Sequence, residues 1–213
     1  MNRQLEDLIA RMTHQDPPNT NSADSVSFQA YRDAEAISDP EVLRAAMDAT
    51  LSETNKHRRD NLYFVVCKIA LNLDDHEAGP FLVRQVHRET DKHVLSSLLD
   101  RIGELPKGPG TDLSLIIALT RDNRWLVRRS AIRALNRTAS PTAEDALIDV
   151  LATSLDPHDL TYANATLNEM GTARCISAIE KHLKSRKRDV KDSAQFAIDE
   201  IRTRSAAANR PSS

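Results

Sequence analysis

The chain is poor in the residues that build β-sheets, disulfide frameworks and membrane spans. Among its 213 residues are five glycines, two cysteines and one tryptophan, and aromatic residues make up only 4 %. So few aromatics and glycines argue against a β-rich fold. Cys67 and Cys175 lie far apart with no CxxC pair, which argues against a disulfide or a thiolate zinc site and favours two small buried hydrophobes.

Membrane and secretion signals are missing as well. No apolar run approaches the roughly 20 residues that cross a bilayer. The opening segment MNRQLEDLIARM lacks the apolar core of a secretory signal. With 40 % hydrophobic and 28 % charged residues, the composition is typical of a helical protein with a core. We therefore expect a cytoplasmic, all-α protein without a membrane partner.

Signatures of catalysis are also absent. The sequence has no Gly-rich phosphate loop, no GxSxG motif and no Cys/His nucleophile arrangement, and its histidines are scattered without ligand spacing. We expect no enzyme, no cofactor, no metal site and no catalytic residues.

What the chain does contain is a repeat. A pattern of core positions recurs five times, and its successive starts lie 31, 33, 35 and 28 residues apart. The five sets are Tyr63/Cys67/Ala70/Leu71, Val94/Leu98/Arg101/Ile102, Val127/Ala131/Ala134/Leu135, Tyr162/Thr166/Glu169/Met170 and Val190/Ala194/Ala197/Ile198. A constant period of this length predicts a right-handed α-solenoid of about five antiparallel helix pairs, read as one domain.

The predicted pairs can be bounded from periodicity and start signals. They are 40–53 with 58–73, 76–87 with 92–105, 111–120 with 124–136, 142–152 with 158–170, and 173–184 with 189–203. Asp39, Thr111, Ser140 and Asp156 are the predicted N-caps, and Asp75 is predicted to cap the second outer helix. Residues 1–38 read as capping helices and a linker, 39–204 as the repeat array, and 205–213 as a disordered tail.

Two segments carry a resemblance to a known family. DNRWLVRRSAIRAL and RDVKDSAQFAI resemble the inner helix of HEAT repeats, in the short bacterial form also seen in phycobilisome-lyase-type proteins. Asp122 and Arg128 match the Asp and Arg with which HEAT repeats bridge adjacent units. In the fifth repeat Lys191 stands in the Arg place but Ser185 in the Asp place, so the ladder is not continuous. The resemblance covers about residues 39–203 and implies a scaffold whose inner helices line a concave binding face.

That implied face predicts the partner-binding residues. If Val127, Ala131 and Ala134 face the core, residues two and six positions after each repeat start point the opposite way. The resulting strip is Val65 and Ile69, Ser96 and Asp100, Arg129 and Arg133, Asn164 and Asn168, Asp192 and Phe196. The predicted partner-binding residues are Asp100, Arg129, Arg133, Asn164, Asn168 and Asp192 of this strip, together with Arg124 and Trp125. Because the strip mixes both charges, it fits another protein better than a phosphate backbone. An alternative is that Val65, Ile69 and Phe196 are covered by terminal helices and the polar residues are merely solvated.

Our first hypothesis is therefore a non-catalytic interaction protein: an adaptor, an assembly factor or an immunity-type binding protein. The alternative is nucleic-acid binding through the arginines around Trp125 and the basic run KHLKSRKRDVK at 181–191. DNRWLVRRSAI also resembles a segment of the HEAT-like alkylpurine DNA glycosylases, but their second tryptophan-rich helix with its catalytic Asp has no counterpart. A bilin lyase shares the repeat style without a specific motif. His76-Glu77 resembles an iron-binding pair of deoxyhypusine hydroxylase, but one pair cannot complete an iron site.

Overall fold

A computed structural model describes residues 2–208 of the chain, and twelve α-helices account for most of them. The helices are Arg3–Met12 (α1), Val26–Ala36 (α2), Pro40–Ser52 (α3), Lys56–Leu73 (α4), Ala78–Gln85 (α5), Lys92–Glu104 (α6), Ser114–Leu119 (α7), Trp125–Ala134 (α8), Pro141–Thr153 (α9), Pro157–Met170 (α10), Ile176–Glu180 (α11) and Arg188–Ala208 (α12). Short 3₁₀ turns at Val86–Arg88, Ala173–Cys175 and Lys181–Lys184 extend the outer helices. Helices alternate in antiparallel pairs, so the predicted all-α repeat architecture is confirmed.

The predicted single domain is divided by the structure. The chain separates into two compact units, Met1–Gly108 and Pro109–Ser213. The boundary falls in the segment PKGPGTD, where two prolines and two glycines interrupt the helical pattern. The domain limit predicted at 38/39 stays a prediction.

The first unit contains three helix pairs, because the N-terminal segment forms a pair of its own. α1 packs on α2 and on α3 and α4, and α2 packs along α4. Leu5, Leu8, Ile9 and Met12 of α1 are all buried. Each such side chain contributes about 1.5–3 kcal/mol of burial free energy. This pair therefore covers one end of the first predicted repeat.

The linker between α1 and α2 is fixed by one carboxylate. Asp16 accepts hydrogen bonds from the hydroxyls of Ser25 and Ser27, both at 2.7 Å, and from the backbone N–H of Val26 at 2.8 Å. The Ser25 hydroxyl and the other donors lower the pKa of Asp16 well below its usual value. The polar linker is thus tied to the start of α2.

The second unit repeats the same plan with α7/α8, α9/α10 and α11/α12. α10 packs against α8 on one side and α12 on the other, so these three helices form an inner layer. α9 packs on α10 and on α11 in the outer layer. The predicted core positions of α8 and α12, including Val127, Ala131, Ala194 and Ala197, are fully buried. Small residues at these positions let the two layers approach closely.

Most predicted helix starts are confirmed by their caps. Asp39, Ser140 and Asp156 each accept hydrogen bonds from backbone N–H groups of the following turn. Asp75 Oδ1 likewise accepts from the N–H groups of residues 77 and 78. Thr111 was wrong as a cap, because α7 starts three residues later and Asp112 accepts the Ser114 N–H instead.

The C-terminal prediction needs a correction. The predicted disordered tail 205–213 is wrong for residues 205–208, which continue α12. Good helix formers at 206–208 explain the extension, since alanine carries the highest helix propensity. Residues 209–213 lie outside the described part of the chain. In the described part, no helix is both long and apolar enough to span a bilayer.

Candidate functional site

The inner layer of the second unit presents an exposed surface that we call the inner-helix surface. Its members lie on α8, α10 and α12 and are Trp125, Arg129, Arg133, Ala165, Glu169, Asp192 and Phe196; Arg129 is half-buried and the other six are exposed. The spacing of four residues on α8 and α12 places each helix's members on one face. Trp125 is 56 % exposed and Phe196 68 % exposed, although both are large apolar side chains.

Trp125 is held in place by a stacked arginine. The guanidinium carbon of Arg129 lies 4.8 Å from the centre of the indole ring. Arg129 Nη2 donates to Asp156 Oδ2 at 2.9 Å, and Asp156 belongs to the start of the next repeat. Burial alone would raise the pKa of Asp156, but hydrogen bonds from Arg129 and the His158 N–H outweigh it and hold that pKa below its usual value. The indole is therefore braced by a chain of charged contacts.

Most of the other arginines around Trp125 are also paired with carboxylates. Arg124 binds Asp122 through two parallel hydrogen bonds of 2.9 and 2.8 Å, which raise the pKa of Arg124. Arg121 binds Asp149 at 2.7 Å. This part of the predicted basic cluster is largely neutralised by neighbouring acids.

Arg128 links two repeats. It donates from Nε to Asp159 Oδ2 at 2.6 Å, while its Nη1 donates to the carbonyl of Asp122 at 2.8 Å. Asp159 is almost fully buried and also accepts from the Ser154 hydroxyl at 2.9 Å. The predicted bridging role of Arg128 is confirmed, but its carboxylate partners come from the following repeat rather than from the Asp122 side chain.

Asn164 and Asn168, predicted as binding residues, are buried, and that prediction was wrong. Asn164 is 0 % exposed and donates to the Ser193 hydroxyl at 3.1 Å, and Asn168 donates to the Phe196 carbonyl at 3.4 Å. They bond α10 to α12. The cause is a one-residue shift in the fourth repeat, because the core position is Ala163 and not Tyr162. Ala165 and Glu169 take the exposed positions instead.

The first unit does not present the predicted strip as an open surface. Val65 and Ile69 are fully buried in the first unit, where α2 packs along their helix. Ser96 is buried as well, and its hydroxyl donates to the Lys92 carbonyl at 2.7 Å. Asp100 is half-buried on α6. Asp100 thus belongs to a different unit from the other predicted residues, and the inner-helix surface is defined without it.

Two sequence predictions concern groups that could have carried chemistry. Cys67 and Cys175 are buried free thiols, and burial raises the pKa of each to about 12. In residues 2–208 no three His, Cys, Asp or Glu side chains come together as a metal site.

Leu155 and Ala165 were not predicted as surface features, although Leu155 is 97 % exposed in the turn before α10. No periodic signal marks a single apolar residue in a turn.

Comparison with known proteins identifies families and solved structures to which this architecture is similar. Residues 113–199 match the family model described as HEAT repeats. Two solved structures of engineered proteins are similar over 95 % of this chain and over 98 % and 100 % of theirs, with 23 % and 19 % identity and a TM-score of 0.56 in both cases. A designed armadillo repeat protein is similar over 92 % of this chain and 99 % of its own, with 16 % identity and a TM-score of 0.54. No curated protein matches the chain. The chain therefore has the fold of a helical-repeat protein, and its residues 113–199 are similar to HEAT repeats.

Proposed function

We propose that this chain is a non-catalytic scaffold that binds another protein through the inner-helix surface, in the manner of an adaptor, assembly factor or immunity-type protein. The observation that carries the proposal is the exposure of Trp125 and Phe196 on α8 and α12, the two helices that flank α10 in one layer. Tryptophan and other aromatic side chains dominate protein interfaces, whereas a monomer gains nothing by leaving them in water.

The geometry around Trp125 supports the proposal. Because Arg129 and Asp156 already fix the indole, a partner that packs on Trp125 loses less side-chain entropy on binding. Ala165 lies on the helix between those of Trp125 and Phe196, and its small side chain leaves room there for a partner's side chain.

The charges favour a protein over a nucleic acid at this surface. Arg129 and Arg133 are accompanied by Glu169 and Asp192, so the surface carries both signs. Binding to a phosphate backbone requires cationic side chains that neutralise phosphates and so release the counterions of the nucleic acid. Arg121, Arg124 and Arg129 already neutralise carboxylates of this chain. A protein interface tolerates such pairs as part of its polar rim.

The test compares two double variants that each replace two exposed apolar side chains. Trp125→Ala/Phe196→Ser alters the inner-helix surface, while Leu51→Ser/Leu155→Ser removes two exposed apolar side chains elsewhere. A partner is first crosslinked and identified from nuclease-treated host lysate, then purified, and its dissociation constant is measured for each variant. We expect the first variant to bind at least about 30-fold more weakly, since one hot-spot residue is worth about 2 kcal/mol. Equal affinity of the two variants would refute the proposal.

A further inference from the structure

The second basic segment of the chain behaves differently from the arginines around Trp125. We call it the basic turn. Its six members run from the 3₁₀ turn after the last outer helix into the first turn of α12 and are Lys181, Lys184, Arg186, Lys187, Arg188 and Lys191. Residues 181–191 contain one carboxylate, Asp189. All six basic side chains are exposed. Within residues 2–208, only Arg188 of the six has a side-chain ion pair, a 3.2 Å contact to Asp192 with both groups largely in solvent.

The backbone that presents these charges is well anchored. The His182 ring nitrogen Nε2 lies 3.1 Å from the Leu151 carbonyl, which joins the turn to α9. The Ser185 N–H donates to the His182 carbonyl at 3.0 Å, and the Lys187 N–H donates to the Ser185 hydroxyl at 3.1 Å. The turn is therefore a fixed platform from which long, flexible cationic side chains project.

The folding of the segment does not explain its composition. Lys187, Arg188 and Lys191 lie at the start of α12, where the helix dipole disfavours positive charge. Mutual repulsion among six cations also costs stability. Because neither local structure nor ion pairing favours these residues, a bound anion is the interaction that their charge fits.

We propose that the basic turn binds the phosphate backbone of a nucleic acid, without reading its base sequence. The argument against an acidic protein is the lack of an apolar anchor, since protein interfaces depend on buried aromatic or aliphatic hot spots. None of the large apolar side chains that are exposed in the described residues lies between 181 and 191. Exposed lysine and arginine side chains can donate to phosphate oxygens, and such contacts carry no sequence information.

This proposal is independent of the protein-binding function proposed for the inner-helix surface. It predicts a definite salt dependence. If four of the six cations contact phosphates, the slope of log K against log salt is about −3.6. The affinity then falls about 150-fold between 50 and 200 mM salt. Two different duplex sequences of equal length should bind with the same affinity.

The experiment measures fluorescence anisotropy of a labelled 20-base-pair duplex with the full chain at several salt concentrations. The variant Lys184→Glu/Arg186→Glu/Lys187→Glu reverses three charges of the basic turn. Its matched control, Arg44→Glu/Arg84→Glu/Lys92→Glu, makes the same change in net charge with exposed residues of the first unit. We expect the first variant to lose at least about 30-fold in affinity, and the control to stay within about threefold after its folding is verified by circular dichroism.

Three results would overturn the proposal: no binding of duplex at 25 mM salt, equal losses in both variants, or competition by poly-glutamate as effective as that by unlabelled duplex of equal charge. The last result would assign the basic turn to an acidic protein. The Trp125→Ala/Phe196→Ser variant should bind the duplex normally, which keeps this test separate from that of the inner-helix surface.

Discussion

Replacing Arg59 by methionine should destabilise the first unit far more than the same change at its neighbour Arg58. Arg59 donates from Nε to Glu89 Oε1 at 2.5 Å and from Nη2 to Oε2 at 2.9 Å, and the Tyr63 hydroxyl donates to Oε1 at 2.6 Å. The Glu89 side chain is 1 % exposed. This bridge joins the first predicted repeat to the second, so its loss should destabilise both repeats.

The expected magnitude follows from what the substitution leaves behind. Without Arg59 the buried Glu89 carboxylate keeps the hydrogen bond from the Tyr63 hydroxyl but loses both bonds from the guanidinium group. Removing one member of a buried ion pair costs about 3–5 kcal/mol in the free energy of unfolding. The control pair, Arg58 with Glu53, is more exposed, at 34 % and 18 % for the two side chains. Exposed pairs contribute about 0–1 kcal/mol. The two variants should therefore differ by roughly 3 kcal/mol.

The pH dependence provides a second readout. Burial by itself raises the pKa of Glu89, but the hydrogen bonds from Arg59 and Tyr63 outweigh it and lower that pKa. The wild-type bridge thus contributes stability above the unfolded-state pKa of about 4.3, and that stability is lost as the pH falls through the lower folded-state pKa. In Arg59→Met burial dominates and the pKa of Glu89 rises. The deficit of the variant should therefore shrink as the pH falls from 7 to 5.

The assay is urea unfolding followed by circular dichroism at both pH values, with hydrogen exchange resolved on peptides from residues 56–104. Faster exchange in those peptides should accompany the loss for Arg59→Met. The double variant Arg59→Met/Glu89→Leu should recover most of the stability, because it removes the stranded carboxylate. Arg59→Met and Arg58→Met agreeing within about 1 kcal/mol at pH 7 would refute this account of the bridge.

Two further predictions concern packing and reactivity. A Cβ at Gly79 would lie 2.1 Å from the Pro106 carbonyl oxygen, whereas one at Gly108 would meet nothing within 4 Å. Gly79→Ala should therefore lower the free energy of unfolding in urea by about 1–3 kcal/mol, and Gly108→Ala by at most about 0.5 kcal/mol. Equal effects of the two substitutions would contradict the close approach at Gly79. Because burial raises the pKa of Cys67 and Cys175 to about 12, a thiol reagent at pH 8 should label neither in the native protein and both in guanidinium; rapid native labelling would show that these helices open readily.

Helix positions were predictable because the signals that set them are local. Apolar periodicity and capping side chains act within one or two turns, so Pro40, Pro141 and Pro157 mark helix starts in both sequence and structure. The N-terminal pair was only partly predictable. α2 buries just Ala30 and Ala34 along its face, which is too weak a stripe to reveal that it packs on α4.

The inner-helix surface was harder to predict, because a shift of one residue in the alignment of a repeat changes which side chains are exposed. Tyr162 is only half-buried, whereas Ala163 is fully buried beside it. Aligning the fourth repeat on the larger residue moved the predicted strip from Ala165 and Glu169 onto Asn164 and Asn168. An alanine carries little hydrophobic signal, but in a close-packed inner helix it is the residue that fits against the neighbouring layer. Small side chains are therefore the better guide to register in this array.

The two basic segments show why charge density alone does not locate a binding site in a repeat protein. Arg121, Arg128 and Arg129 find carboxylates 27–31 residues further along the chain, which is one repeat length. A basic residue is thus neutralised when an acid occupies the adjacent repeat at the facing position. For the basic turn, the acids one repeat earlier are Asp156 and Asp159, and Arg128 and Arg129 already bind them. The same two carboxylates that neutralise the denser cluster are consequently not available to the basic turn, and the positive charge that can attract a polyanion lies at 181–191.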